Sequence, residues 1–155
     1  MKPYVTAAAR HFVLYKLSIR ELNAEPAPGG VLVDEDTTLI VRARTKDSSQ
    51  GGWLMNAKHE EIIDPSTFYA LVDLEDPDAP QVWIMPAEVV ADACRRSHRA
   101  WHSTPKARGT GPKVETNLRR IYPHYDPDRY PGLNLPEGWM DPYQEAWESL
   151  TPTPS

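Results

Sequence analysis

Arg42-Ala-Arg44, followed by Lys46, sets three cations at alternate positions at the end of a β-branched and apolar run, Thr38 to Thr45. The acids Asp34 and Asp36 lie just before this run, and Lys58-His59-Glu60-Glu61 lies just after it. Metal-assisted phosphodiester cleavage needs carboxylates to hold Mg²⁺ against a phosphate and a cation to stabilise the charge that develops. The acids here could supply such a set if Asp34 or Asp36 met Glu60 or Glu61, with Lys46 or Lys58 as the cation. Asp36, Glu60 and Lys58 are therefore the catalytic candidates. The arginines point elsewhere, because guanidinium is always protonated and has no acceptor with which to bind a hard cation. With a strand period of two, Arg42 and Arg44 share a side, where they can clamp phosphate bidentately or form structural ion pairs with Asp34, Asp36 or Glu60.

The elements that would position these groups follow from the pattern. Thr6 reads as an N-cap for a helix to about Leu22, with Val13, Leu14 and Leu17 on one side. Glu25 to Gly30, with two prolines and two glycines, ends it. Val31–Val33 and Thr38–Thr45, joined by Asp34-Glu35-Asp36, predict a hairpin. A polar loop, 46–52, leads to a brief strand or binding edge at Trp53–Met55. Phe68–Leu74 and Val82–Met85 are nearly continuous apolar runs and predict strands covered on both faces. Pro86 opens a helix to about His102, with Val90, Cys94, Ser97 and Trp101 at helical spacing. Residues 103–136 lack a sustained period apart from a short strand or turn near 114–122, and Pro142–Leu150 predicts a last helix anchored by Trp147. The result is an α/β fold: a mixed central sheet flanked by helices over 1–102, with an irregular Pro- and aromatic-rich extension, 103–155, packed on it as part of one domain.

Four segments together carry a resemblance. They are the cationic strand, Gly51-Gly-Trp-Leu-Met-Asn-Ala-Lys-His-Glu60, Phe68-Tyr-Ala-Leu-Val-Asp-Leu74, and Val82-Trp-Ile-Met-Pro86 turning into a helix. With the tail Gly138-Trp-Met-Asp-Pro-Tyr-Gln-Glu-Ala-Trp-Glu-Ser-Leu150, the chain resembles a group of small bacterial proteins and, through them, the PD-(D/E)XK nuclease-like superfamily. The resemblance implies a restriction-endonuclease-like fold with Asp on one strand and E/Q-x-K on the next. Arg42-Ala-Arg44 occupies the second position, and Gly30 or, with one insertion, Asp34 or Asp36 occupies the first. The motif is degenerate. The implied function is nucleic-acid engagement with cleavage lost or weak, no resident metal, and Mg²⁺ only in an active nuclease with a migrated site.

The chain of 155 residues has a net charge of −5, yet residues 95–120 hold eight cations against one acid, Glu115. Arg95, Arg96, Arg99, Arg119 and Arg120 join Arg42, Arg44 and Lys46 as nucleic-acid-binding candidates on a basic face. Helix chemistry is the competing account, since Glu88 and Asp92 come early and Arg95, Arg96 and Arg99 late, as the macrodipole favours. A protein-interaction module that uses the acidic loop 75–78 and the aromatic tail is the alternative function. His98 and His102 have zinc-compatible spacing with no Cys to complete a site. The five tryptophans are candidates for core or base stacking, and Gly109-Thr-Gly111 reads as a flexible loop. One cysteine excludes an internal disulfide, and no apolar run or leader marks a membrane or secreted protein. The expectation is a cytoplasmic protein with a nucleic-acid or protein partner and no membrane; its oligomeric state is left open.

Overall fold

A computed structural model describes residues 2–46, 51–104 and 115–151. Lys106, Arg108, Lys113 and the Gly109-Thr-Gly111 stretch lie outside them. Two helices, α1 (Pro3–Ser18) and α2 (Ala87–His102), sandwich a five-stranded mixed sheet. Its strands are β1 (Ala24–Ala27), β2 (Gly30–Val33), β3 (Thr37–Arg44), β5 (Thr67–Asp73) and β6 (Gln81–Pro86), in the order β1-β2-β3-β5-β6. β3 and β5 run parallel and all other neighbours antiparallel. A second, two-stranded sheet pairs β4 (Trp53–Asn56) with β7 (Leu118–Ile121).

Strand alternation divides the core in two. Leu39, Val41, Ala70, Val72, Val82 and Ile84 meet Ala9, Val13 and Leu17 of α1 on one face. Tyr69, Leu71, Trp83 and Met85 meet α2, together with Trp53, Met55 and Ile121 from the small sheet, on the other. Residues 115–151 enter both cores, through Ile121 and Met140 on the second and Trp147 and Leu150 on the first.

Three elements depart from expectation. α1 starts at Pro3 rather than after Thr6, since proline has no amide to leave unsatisfied in the first turn, and it ends at Ser18. Residues 24–27, expected only to break the helix, form an edge strand in which Pro26 withholds no needed donor; Gly29, at φ 74°, completes the two-residue turn to β2. Gly30 permits the close approach of β3, because a Cβ there would lie 2.0 Å from the Leu39 carbonyl oxygen. The final helix is instead two short 3₁₀ turns, Asp141–Tyr143 and Trp147–Leu150, broken at Glu145 with φ 54°. Between them Gln144 bridges Trp83, and the Glu145 amide donates to the Val82 carbonyl at 3.0 Å, which covers the open edge of β6.

Candidate functional site

Both strand arginines turn toward the small sheet. Arg42 donates to the Leu54 carbonyl and Arg44 to the Gly51 carbonyl, so the i, i+2 pair fastens the segment leading into and through β4 onto β3. Arg44 also bonds Asp73 at 2.8 Å, and its guanidinium stacks 4.1 Å from the Trp53 ring centre. The ion pair forms with Asp73, rather than with Asp34, Asp36 or Glu60, because the parallel register sets Arg44 directly opposite Asp73. Asp34 instead ties its turn to Asn23. Desolvation lowers the pKa of Arg42. Lys46 is exposed.

Lys58-His59-Glu60 forms a 3₁₀ turn whose three side chains have three fates. Lys58 is exposed, and His59 is buried. The His59 Nδ1 accepts the Asn56 amide at 3.0 Å, which leaves the proton of the neutral ring on Nε2. Burial, and then the nearby Arg42 charge, hold His59 below the ordinary imidazole value. Its ring meets Tyr69 edge-on at 5.9 Å, and the buried Tyr69 hydroxyl has no hydrogen-bond partner. Glu60 accepts from Arg119 Nε at 2.5 Å, while Arg119 Nη1 donates to the carbonyls of Thr116 and Leu118. Arg119 is only 7% exposed, so two donors and three acceptors meet where water is scarce.

The catalytic candidates are thus given different tasks. Asp36 accepts from the Thr37 hydroxyl at the β2–β3 turn, whereas Glu60 is held by Arg119. Among the described residues no group of three His, Cys, Asp or Glu side chains could hold a metal ion. The residues at the expected Mg²⁺ position, Arg42 and Arg44, do not fit that cation.

Along the last two turns of α2 the cations separate into engaged and free. Arg95 donates to the Glu60 carbonyl at 2.8 Å, and Arg96 to Asp92 and the Asn134 carbonyl. Arg99 is exposed and has no polar partner among the described residues. It borders two clefts. One is lined by Glu60, Arg95, His98, His102, Ser103 and Glu115, the other by Arg96, Ala100, Ser103 and Pro131–Leu133. A smaller cavity of ≈ 200 Å³ opens between α2 and β7, walled by Trp101, Tyr130, His98 and Leu118. Arg120 also lines this cavity, and its buried Nε lacks a hydrogen-bond partner. His98 is common to this cavity and the first cleft, where the Glu115 carboxylate lies 2.6 Å from His98 and 3.9 Å from His102. The His98 hydrogen bond draws the Glu115 pKa down. The two imidazoles of the zinc-like spacing share this one carboxylate.

Sequence reasoning named Arg95, Arg96, Arg99, Arg119 and Arg120 as one face. Both Arg119 and Arg120 line the cavity, but Arg119 is buried and committed to Glu60 and two carbonyls. It did not assign Tyr130 or Glu115 to a site, and it held Trp101 only as one of five tryptophans for core or base stacking, although the i, i+3 spacing of His98 and Trp101 carried a signal. Trp147 is buried in the first core and Trp83 in the second, so neither indole is a surface stacking platform. No family model, curated protein or solved structure matches the chain. No helix among the described residues is long and apolar enough to cross a membrane.

Proposed function

We propose that this chain is a degenerate PD-(D/E)XK-like domain that binds nucleic acid without cutting it, and that it prefers strands with unpaired bases. The observation that carries this reading is the junction at Arg99: a cation with no carboxylate partner among the described residues borders open clefts beside an aromatic cavity that Arg120 also lines, its buried Nε without a hydrogen-bond partner. Phosphates would meet Arg99, with Arg95 beside it once it exchanges its Glu60 carbonyl for phosphate, and an unstacked base would enter between Trp101 and Tyr130, where Arg120 offers donors to its edge. Loss of cleavage follows from Arg42 and Arg44, which hold β4 where an acid and a lysine would be needed to work on phosphate.

Fluorescence anisotropy with single- and double-stranded oligonucleotides tests the reading. Binding should appear at low ionic strength and fall steeply with salt, and it should favour single strands. Arg99→Ala should reduce the salt slope by about one counterion, and Arg120→Ala should narrow the preference for single strands. Absence of binding to either form at low salt would remove the proposal, as would Mg²⁺-dependent cleavage lost on Glu60→Gln.

A further inference from the structure

α1 buries one side and leaves the other without cover. Tyr4, Tyr15 and Ile19 are 66%, 60% and 55% exposed, and Ala8 and His11, also exposed, lie between them. At 100° per residue these five positions fall within an arc of about 80°. The arc lies opposite Ala9, Val13 and Leu17, which face the sheet. Widened to take in Val5, Ala7, Phe12, Leu14 and Ser18, this side of the helix carries no charge. A solvated helix ordinarily puts charge there, and a contiguous apolar strip of this kind marks a contact surface.

We propose that the strip is covered by a second copy of this chain, with the two α1 helices packed antiparallel about a two-fold axis between His11 and Phe12. Antiparallel docking sets Tyr4 against Ile19 of the second copy, Ala8 against Tyr15, and His11 against Phe12. Each bulky side chain meets an apolar or small one, and the same patch serves both copies, as a two-fold interface requires. The exposed ends are complementary in charge, since Lys2 precedes the helix and Glu21 follows it, and antiparallel docking brings each end of one α1 near the other end of its copy. Two cations near the strip, Lys16 and Arg20, already pair with Glu145 of their own copy at 3.6 and 3.8 Å. Two such strips would remove on the order of 1,000 Å² from water, the lower bound for a specific interface, so the dimer should be a reversible one. This inference does not depend on the nucleic-acid reading.

Sedimentation velocity over a concentration series should show a monomer–dimer equilibrium, and Tyr15→Glu should weaken it by about tenfold or more while leaving the melting temperature unchanged. Register is tested by mixing two single variants, Ala8→Cys and Tyr15→Cys, under mild oxidation. The mixture should form the mixed disulfide, while neither variant alone should cross-link, because like positions lie about 10 Å apart along the axis. Wild-type protein that stays monomeric at every concentration would overturn the proposal. So would a Tyr15→Glu variant that dimerises like wild type, or each cysteine variant cross-linking to itself, which would mean parallel pairing.

Discussion

Toward α1, strands β3 and β5 present Leu39, Val41, Ala70 and Val72; toward α2 the same strands present Arg42, Arg44, Tyr69 and Leu71. The first face is made of aliphatic volume and is held by close packing. The second also packs, around Trp53 and Trp83, whose rings meet edge-on at 5.4 Å. It further places two guanidinium groups and an imidazole against carbonyls, a backbone amide and a carboxylate, and there the fit of donors to acceptors decides stability as much as volume does. One face can therefore be read by size and the other by partnership. The aromatic cavity and Arg99 belong to the α2 side.

Substitutions that separate volume from partnership test the contrast. Arg119→Leu keeps bulk but strands Glu60 and two carbonyls, and it should cost about 3 kcal/mol in a denaturant titration. Adding Glu60→Leu should recover part of that loss, whereas a double variant worse than the single would show that this face obeys volume alone. Leu17→Ala on the α1 face should cost about 2–3 kcal/mol through the void it leaves, with Leu17→Met close to neutral. A smaller effect is expected from His59. Because its folded pKa lies below the unfolded value of 6.5, its contribution is complete above that pH and is lost as pH falls from there toward the folded value. His59→Gln keeps an acceptor for the Asn56 amide and should flatten this part of the stability profile. Tyr69→Phe removes a hydroxyl with no partner and should change stability by less than about 0.5 kcal/mol. Cys94 provides a kinetic check. Its buried thiol is pushed up to about 12 by desolvation, so thiol reagents should reach it only after unfolding.

Local rules made much of the fold legible. The unbroken apolar runs around Ala70 and Ile84 gave strands covered on both sides, Pro86 marked the start of α2, and the acids at 34–36 marked a hairpin turn. Less legible were features set by distant pairing. β1 carries Pro26 and mostly exposed side chains, so only its ladder with β2 identifies it. The tail's helical spacing yields to the bond between Glu145 and β6, which holds Glu145 in a left-handed conformation. The carboxylate partners of Arg44 and Arg119 lie 29 and 59 residues away, beyond the reach of any spacing argument. At the site, the cationic run was visible in the chain, but which of its members face water was not. That division follows from Glu60 and Asp92 taking up three of the arginines and leaving Arg99 exposed.

The clasp of Gln144 and Glu145 over β6 has a consequence for how the protein is made. Translation at about 5–20 residues per second brings residue 144 out on the order of several seconds after Val82. During that interval the outer rim of the sheet can pair with a neighbouring nascent chain. Ribosome-bound chains halted ahead of Gln144 should therefore recruit chaperones that the finished protein does not.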